Sequence, residues 1–357
     1  MKRFLKICAF IFLVLACLEF TLHLYNPFSS RVKNGENILP KNTRYAVAMP
    51  NYPGLDKEII HNKNSLGMRG PELDGSEKLK IICMGGSTTE CFYLNDGKDW
   101  PNLLGSEIKK VFPSSWLNNA GMEGQSSLGN LQMLKKYAVK LKPNYIILMC
   151  GLNDMGLEVP SHFDENKSIF KKVYDFLEIP STIVNIVRAG KAKESGLNQP
   201  YLLDLSKAAT FPMADSAIYK RLEIEKKYLY AYRARLSEFA KICIENKIKL
   251  IFVSQSILFS DENDLYSNAY LGDIKTGDIN GKTRGYILKM YNKVTFDFAE
   301  SMQIPYVNLA ARLPKDSRFF YDGCHFTNDG SEITSGIIYD EIISKKLIPE
   351  ISNGTHP

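Results

Sequence analysis

The sequence predicts an α/β fold in which helices cover one parallel sheet. Short apolar segments typical of buried strands alternate with longer segments of helical periodicity, which is the pattern of a parallel α/β sheet. Loops with glycine and polar residues follow several of these strands directly, where such a sheet binds its ligands. Length alone allows two domains, but a single series of strands predicts one core.

Five segments are predicted as strands because they are short and rich in apolar residues. In chain order they lie near residues 79–84, 116–120, 144–150, 249–254 and 304–309. The clearest helix precedes the fourth strand, because apolar residues recur there at three- and four-residue steps. They are Leu222, Leu229, Tyr232, Leu236, Phe239 and Cys243.

The first strand ends at a serine in a context that suits a nucleophile. The run KLKIICMGGSTTE places Ser87 after an apolar strand and two glycines. Taken alone, a serine at this place is more often part of a turn, because glycine and serine are common loop residues. The strand before it favours a catalytic role, which requires a base to accept the hydroxyl proton.

His325 is the best candidate for that base. The run DGCHFTNDG places Asp322 three residues before His325, and a carboxylate is needed to orient an imidazole and stabilise its charged form. Asp322 has an alternative role as the cap of a helix that begins near Thr327, although Thr327 and Asn328 can fill that role. The remaining histidines lack such a setting: His23, His61, His162 and His356.

Two further loops follow predicted strands. The run WLNNAGMEGQSSLGN is a short strand that ends in a glycine-bearing loop, and NYIILMCGLNDM is a continuous apolar strand that ends at Asn153 and Asp154. Because parallel strands end at the same edge of a sheet, we expect these loops beside Ser87 and His325. Together the four segments predict acyl-transfer chemistry.

In this order, the four sequence blocks resemble those of the SGNH branch of the GDSL-type hydrolases. The resemblance covers residues 64–345, and the Gly-Gly-Ser-Thr form of the first block is similar to that of membrane-anchored relatives. It implies a three-layer α/β/α fold with a five-stranded, mostly parallel, flavodoxin-like sheet. The hydrolase domain would then span residues 64–350, with the run SLGMRG at its entry.

Carried onto this chain, the resemblance makes Ser87 the nucleophile, His325 the general base and Asp322 its orienting partner. The chain departs from the family pattern at Gly86, where aspartate usually precedes the nucleophile. The resemblance therefore does not indicate which contacts stabilise the loop that carries Ser87. No Gly-x-Ser-x-Gly sequence surrounds Ser87, which counts against the ordinary α/β-hydrolase fold.

The resemblance also implies an oxyanion hole. Its donors would be the backbone N–H groups of Ser87 and Gly124 and the side-chain amide of Asn153. Preorganised donors of this kind typically lower a reaction barrier by a few kcal/mol each. Gly121 is the alternative to Gly124, and Asn153 has the alternative role of tying its own loop together.

No cofactor or metal site is predicted. The sequence contains no P-loop, dinucleotide-binding glycine fingerprint or paired CxxC motif. Seven cysteines at scattered spacings do not suggest a disulfide framework, and we interpret Cys324 as a packing residue. Three units of the formal net charge of +6 belong to Lys2, Arg3 and Lys6, so the remainder is too small to predict nucleic-acid binding.

Residues 1–25 are predicted to be a signal anchor. Three basic residues precede ICAFIFLVLACLEFTLHLY, an apolar run of about the length that crosses a bilayer. Because basic flanks stay in the cytoplasm, the catalytic domain is predicted to be extracytoplasmic, in the periplasm or at the cell surface. A cleaved signal peptide and a lipoprotein processed at Cys17 are the alternatives, and both place the domain on the same side.

Two stretches lie outside the predicted core. Residues 26–63 are polar and contain proline and asparagine, which favours a linker. Residues 155–218 form an insertion far longer than the usual connection, with helix-like runs FKKVYDFL and STIVNIVR. Insertions beside an active site often act as lids or substrate walls. We interpret this one first as a small self-packed cap, with a sugar or a membrane surface as its alternative contacts.

The sequence therefore predicts a membrane-tethered serine esterase. It would remove or transfer a short, acetyl-like group on a glycan or another acylated small molecule through a Ser-His-Asp triad and an acyl-enzyme. A lipase-like or lysophospholipase-like esterase with an apolar groove is the first alternative. A non-catalytic glycan-binding or assembly component is the second, and the presence of all the triad candidates argues against it.

Overall fold

The structure is a computed structural model with two compact units. Residues 1–38 and 160–200 belong to one unit, and residues 39–159 and 201–357 belong to the other. The larger unit contains the sheet and every predicted site residue. The structure describes residues 2–24, 32–33, 36–37, 39–156, 177–180, 182–183, 186–187 and 201–352.

A five-stranded parallel sheet forms the centre of the larger unit. Its strands are β1 (Leu79–Gly85), β2 (Ser115–Asn119), β3 (Tyr145–Met149), β4 (Lys249–Val253) and β5 (Tyr306–Val307). They lie side by side in the order β5-β4-β3-β1-β2, and each neighbouring pair is parallel. This is the flavodoxin-like order, whose switch point lies between β1 and β3. The predicted fold class is confirmed.

Helices enclose the sheet on both faces. The α-helices whose bounds the structure describes are, in chain order, α1 (Lys2–Leu24) in the smaller unit and α2 (Ser87–Glu90), α3 (Trp100–Val111), α4 (Ser127–Met133), α5 (Asp215–Glu245), α6 (Gly281–Ser301), α7 (Leu309–Arg312), α8 (Asn328–Ser344) and α9 (Pro349–Ser352) in the larger unit. Helices α4, α5 and α6 contribute to the core on one face of the sheet. Helices α3 and α8 contribute to the core on the other.

Burial on both faces explains why the inner strands read as continuous apolar runs. All five residues of β3 are buried. Successive residues alternate between the two cores, since Ile146 packs with α5 and Ile147 with α3 and α8. The apolar stripe predicted for α5 is confirmed, because Tyr232 and Leu236 have no exposed surface.

Four of the described helices, α3, α4, α6 and α8, have an N-cap side chain that accepts a backbone N–H of the first turn. Asp99 accepts the N–H of Asn102 at the start of α3, and Ser126 accepts that of Gly129 at the start of α4. Asn280 and Thr327 cap α6 and α8 in the same way. Such caps satisfy backbone donors that lack an intrahelical acceptor, and they fix where the loops before these helices end.

The region interpreted as a linker contains an antiparallel strand pair. Thr43–Ala48 pairs with Glu58–Lys63 over six residues each. Residues of the first strand alternate between half-buried and exposed, as expected for a strand with one covered face. His61 is fully buried in this pair, 4.7 Å from the ring of Phe92 between ring centroids. Two shorter pairs are Val32–Lys33 with Glu36–Asn37 and Lys275–Thr276 with Ile279–Asn280.

Among the described residues, α1 is the one helix long and apolar enough to cross a membrane. Its most apolar window has a mean hydropathy of 2.3, and none of that window is buried. A signal sequence has the same properties. Much of the predicted insertion lies outside the described residues, including FKKVYDFL apart from Leu177. The described residues of STIVNIVR are helical, and α5 begins at Asp215.

Candidate active site

The structure brings Ser87, His325 and Asp322 into one hydrogen-bonded row. The Nε2 atom of His325 lies 2.7 Å from the Oγ atom of Ser87. Its Nδ1 atom lies 2.6 Å from the Oδ2 atom of Asp322. These distances are within hydrogen-bonding range, so residues 238 positions apart in the chain meet with the geometry that base-assisted attack by a hydroxyl requires.

Asp322 is held by its own loop. Its Oδ1 atom accepts the backbone N–H groups of Cys324 and His325, each at 2.7 Å, while its Oδ2 atom bonds the imidazole. Thr327 caps α8 through its hydroxyl, 3.1 Å from the N–H of Gly330. Thr327, and not Asp322, is therefore the N-cap of α8.

Opposite pKa shifts accompany this contact. Burial raises the pKa of Asp322, but hydrogen bonds from His325 and from backbone N–H groups outweigh it, and the net shift is downward. Burial lowers the pKa of His325, yet its polar contacts with Cys324 and with the carboxylate of Asp322 raise it well above its ordinary value. The carboxylate thus stays ionised and stabilises an imidazolium.

Ser87 lies where β1 passes into α2. It is the first residue of that four-residue helix and is partly exposed, while Gly86 and Thr88 on either side are buried. The N–H of a first helical residue has no intrahelical acceptor. Within the described part of the chain, the N–H of Ser87 donates no backbone hydrogen bond. The position leaves both the hydroxyl and the N–H of Ser87 available to a substrate.

Gly86 provides space for the side chain of Asn153. A Cβ atom added at Gly86 would lie 2.5 Å from Nδ2 of Asn153 and 3.2 Å from the carbonyl oxygen of Gln125. Its φ of −89° is accessible to any residue, so the requirement for glycine is one of room rather than of backbone conformation. Gly86 therefore allows the side chain of Asn153 to lie close to the nucleophile loop.

Asn153 bridges two loops. Its Nδ2 atom donates to the carbonyl oxygen of Gln125 at 3.1 Å, which uses one of its two N–H groups and leaves the other. The bond reaches the loop after β2 rather than the loop of Asn153 itself, so an isolated Asx-type turn does not describe this side chain. Asn153 joins the two loops that flank Ser87.

The two candidate glycines of the oxyanion hole have different surroundings. The N–H of Gly121 donates to Oδ1 of Asn119 at 2.9 Å, and an added Cβ there would meet the backbone N of Glu90 at 2.3 Å. Gly124 is exposed, has a φ of +67°, and has open space around an added Cβ. Its N–H makes no backbone hydrogen bond within the described residues. This geometry favours Gly124 over Gly121.

A buried polar network fixes the loops around Ser87. The guanidinium of Arg69, which is fully buried, donates to the carbonyl oxygens of Glu90, Cys91 and Leu94 at 2.8 to 2.9 Å. Nζ of Lys63 lies 2.9 Å from Oε1 of Glu90. These contacts hold the chain immediately after α2.

Glu90 extends this network to the loop of Gly124. Its Oε2 atom accepts the backbone N–H of Glu123 at 2.5 Å, and Glu123 directly precedes Gly124. The amide of Asn119 donates to the carbonyl oxygen of Thr89 at 2.6 Å. The helix that carries Ser87 and the loop that carries Gly124 are therefore joined through the same buried side chains.

Asp154 braces the loop of Asn153 in a similar way. This fully buried carboxylate accepts the N–H of Ser127 at 2.9 Å and a guanidinium N–H of Arg235 at 3.0 Å. Burial raises the pKa of Asp154, and Arg235 and Ser127 partly offset that effect. Asp154 thus ties β3 to the start of α4 and to α5.

Two further side chains contact His325 directly. The ring of Tyr321 stacks on the imidazole, with centroids 5.5 Å apart and planes 8° apart. The Sγ atom of Cys324 lies 3.4 Å from Nδ1. Ligand atoms of Asp322, Cys324 and His325 lie within 4.8 Å of one another, a grouping that a metal ion can use. In this structure the carboxylate of Asp322 is hydrogen-bonded directly to the imidazole of His325.

A cavity of about 650 Å³ lies beside the catalytic loops, between the segment after β4 and helices α6 and α7. Aromatic rings and amides line part of it: Phe259, Tyr286, Phe296, Tyr306, Asn292 and Asn308. Charged side chains line it as well: Asp261, Glu262, Lys289, Lys293 and Lys315. Its wall touches the site twice, since Phe259 packs against Gly323 and Gln255 donates to Oγ1 of Thr88 at 2.9 Å. No periodic pattern along the chain predicts this cavity, because its lining comes from three separate segments.

Several residues that shape the site were not singled out from the sequence. Arg69 lies in the run SLGMRG, where only the entry to the fold was predicted. Tyr321 directly precedes Asp322, and Asp154 directly follows Asn153. Their proximity to the motifs was the available signal, but their partners are distant in sequence and only the fold identifies them.

The chain matches the model of the GDSL-like lipase/acylhydrolase family over residues 83–333. No curated protein matches it. An acetylxylan esterase from Geobacillus stearothermophilus is 14% identical, with 76% of this chain and 96% of that chain covered and a TM-score of 0.44.

Two other solved structures are similar at the same level. A member of the lipolytic G-D-S-L family from Veillonella parvula is 13% identical, with 73% of this chain and 97% of that chain covered and a TM-score of 0.41. A GDSL-like lipase from Bacteroides thetaiotaomicron is 14% identical, with coverages of 77% and 91% and a TM-score of 0.40. The family model spans well over half of the chain, and on that basis the chain belongs to the GDSL-like lipase/acylhydrolase family.

Proposed function

We propose that this protein is an extracytoplasmic, membrane-tethered serine esterase that removes or transfers a short acyl group on a glycan or similar polyhydroxylated substrate. The observation that carries the proposal is the row of contacts from Ser87 through His325 to Asp322, at 2.7 Å and 2.6 Å. Membership of an acylhydrolase family supports ester chemistry in general.

In the proposed mechanism Ser87 attacks the ester carbonyl while Nε2 of His325 takes its proton. Asp322 stabilises the resulting imidazolium, and the N–H groups of Ser87, Gly124 and Asn153 stabilise the oxyanion. The imidazolium then protonates the leaving alcohol, which leaves an acyl group on Ser87. His325 next accepts a proton from water or from an acceptor hydroxyl, and collapse of the second intermediate regenerates Ser87.

The cavity beside the catalytic loops favours a polyhydroxylated substrate. Aromatic rings offer flat apolar faces, while amide side chains donate and accept hydrogen bonds. Phe296 is 43% exposed and lies 5.3 Å from Tyr306 between ring centroids, and Asn308 is exposed on the same wall. A sugar ring, with apolar faces and a rim of hydroxyls, matches that combination.

Helix α1 supports tethering, and its basic flank supports the side on which the domain lies. Lys2, Arg3 and Lys6 precede the apolar run, and such residues are retained in the cytoplasm. Protease added to spheroplasts, whose cytoplasmic membrane is intact, is expected to digest the catalytic unit without lysis of that membrane. Digestion only after lysis would place the domain in the cytoplasm.

The chemistry is tested with the full chain in detergent and p-nitrophenyl acetate as substrate. We expect Ser87→Ala to release nitrophenol at the rate of buffer alone, while the matched Ser344→Ala, at an exposed position on α8, retains the wild-type rate. Equal rates for Ser87→Ala and wild type would refute the esterase proposal. A preference for palmitate over acetate esters would favour a lipase-like enzyme instead.

A further inference from the structure

An acidic residue of α1 lies in contact with part of the insertion. Glu19 is one of few polar residues in the apolar run of α1. Its Oε1 atom accepts the backbone N–H of Glu178 at 2.5 Å, and its Oε2 atom accepts that of Ile179 at 3.0 Å. Both partners belong to the same compact unit as α1.

These contacts resemble a helix cap supplied by a distant part of the chain. Leu177 is not helical, whereas Glu178 and Ile179 are the first helical residues after it. Their N–H groups are donors that a helix leaves without an intrahelical acceptor, and a carboxylate is a favourable partner at that end. His23 adds a third link, with Nδ1 3.4 Å from Glu19 and 3.9 Å from Glu178.

The described residues after this cap separate a buried side from an apolar exposed side. Glu178 and Thr182 are buried. Ile183, Ile186 and Val187 are 56%, 47% and 50% exposed. The exposed three stand at positions i, i+3 and i+4, which is one face of a helix. Three neighbouring branched apolar side chains in water are unfavourable, so this face calls for an apolar partner.

The sequence around this segment indicates what that partner is. Between residues 171 and 194 the basic residues outnumber the acidic ones and lie on both sides of the segment: Lys171, Lys172, Arg188, Lys191 and Lys193, against Asp175, Glu178 and Glu194. Apolar residues on one helix face with basic residues around them are typical of segments that lie in the headgroup region of a bilayer containing anionic lipids. Continuity with α1, itself apolar and exposed, places a bilayer within reach.

We propose that residues 177–187 form a second membrane-contacting element, which Glu19 holds against α1 and which inserts Ile183, Ile186 and Val187 among lipids. The inference rests on the proposed membrane anchorage but not on the proposed ester chemistry. It gives the insertion a role other than that of a self-packed cap. It also makes α1 a lasting structural partner of the insertion, which a cleaved signal peptide is not.

The test uses tryptophan as a depth probe in the full chain. The two native tryptophans, Trp100 and Trp116, are buried and supply a constant background. The chain is reconstituted into vesicles of phosphatidylcholine and phosphatidylglycerol, with or without brominated acyl chains that quench tryptophan on contact. Ile186→Trp and Val187→Trp probe the segment, and Phe12→Trp in α1 is the positive control.

We expect Ile186→Trp and Val187→Trp to lose fluorescence in brominated vesicles several-fold more than Tyr230→Trp, a probe at an exposed position on α5. Quenching of Phe12→Trp without quenching at positions 186 and 187 would overturn the proposal and leave the anchorage intact. No quenching at position 12 would instead refute the anchorage on which it rests.

Glu19 is tested in the Ile186→Trp background. Glu19→Leu removes the acceptor and keeps α1 apolar, so quenching at position 186 is expected to fall severalfold while the chain still floats with vesicles. Thr21→Leu is the matched control, because the Thr21 hydroxyl donates within α1, to the carbonyl oxygen of Cys17. Equal quenching in Glu19→Leu and Thr21→Leu would show that Glu19 does not hold the segment.

Discussion

The two halves of the candidate site are held in place in different ways. On the nucleophile side, Arg69, Lys63 and Glu90 form a buried network whose members lie far apart along the chain. On the base side, Asp322 bonds His325 and the backbone N–H groups of its own short loop. The position of Ser87 therefore depends on the packing of the whole unit, whereas the orientation of His325 depends mainly on local contacts.

This difference predicts two kinds of variant. Changes on the base side are expected to reduce catalysis while the fold is retained. Changes in the buried network are expected to reduce stability as well, because they leave charged groups without partners in the interior. The following variants test that distinction.

The largest loss is expected for His325→Ala. Removal of the base leaves Ser87 without a proton acceptor, and the acetate-ester kcat should fall by about 10³-fold or more. The melting temperature should stay near that of the wild type, because His325 is partly exposed and its loop retains the Asp322 contact to Cys324. A kcat within tenfold of wild type would remove His325 from the mechanism.

Glu90→Gln tests the nucleophile side. It breaks a buried ion pair and leaves Lys63, whose side chain is 3% exposed, without its charge partner, which costs about 3–5 kcal/mol. We expect a clear fall in the denaturation midpoint in urea. The double variant Lys63→Met/Glu90→Gln should recover much of the loss, because no uncompensated charge remains. A midpoint for Glu90→Gln equal to wild type would show that the network does not support this loop.

Gly86→Ala tests how closely Asn153 lies to the nucleophile loop. The added methyl group would overlap Nδ2 of Asn153, and displacement of an oxyanion-hole donor costs about 10²-fold in kcat. The matched control is Gly336→Ala, because an added Cβ there meets nothing within 4 Å. Equal kcat values for the two variants would show that Asn153 accommodates the methyl group and that its close approach to Gly86 does not limit catalysis.

The pH dependence of kcat/KM reports the protonation of His325 on the base side. A general base must be neutral, so kcat/KM should fall as the pH drops through the pKa of His325, which lies above the ordinary value of 6.5. Asp322→Asn removes the carboxylate that raises this pKa, so it should move the acid limb to lower pH with a large loss of kcat. Cys324→Ala is the matched control, because it removes only a 3.4 Å contact of Sγ with Nδ1, and its limb and kcat should stay near those of the wild type. An unmoved limb in Asp322→Asn would assign it to another group.

The smallest effect on the hydrolysis rate is expected when metal ions are removed by a chelator. Asp322, Cys324 and His325 could ligate a metal ion, but the proposed chemistry requires only their direct contacts. Incubation with EDTA should leave the rate of acetate-ester hydrolysis unchanged. A loss that zinc restores would replace the proposed role of this loop with a metal site.

The fold was accessible from the sequence because it depends on local patterns. Apolar runs located the strands within one or two residues for β1 to β4. The last strand is shorter than predicted, with Tyr306 and Val307 alone paired to β4, because α7 begins at Leu309. Alternation of strands and helices then determined the parallel architecture.

The surroundings of the site were less accessible because they depend on contacts between distant segments. Nothing local in the sequence distinguishes Gly124 from Gly121. The distinction arises because Asn119 accepts the N–H of Gly121. In the same way, the partner of Glu19 lies 159 residues away, so the contact between α1 and the insertion becomes visible only after folding.

Covalent labelling determines whether His325 activates Ser87 as a nucleophile. The full chain is treated with a fluorophosphonate, and the modified residue and the rate of modification are determined by peptide mass spectrometry. We predict modification of Ser87 alone, at a rate that falls by about 10²-fold or more in His325→Ala. Modification at another residue, or an equal rate in His325→Ala, would contradict the account.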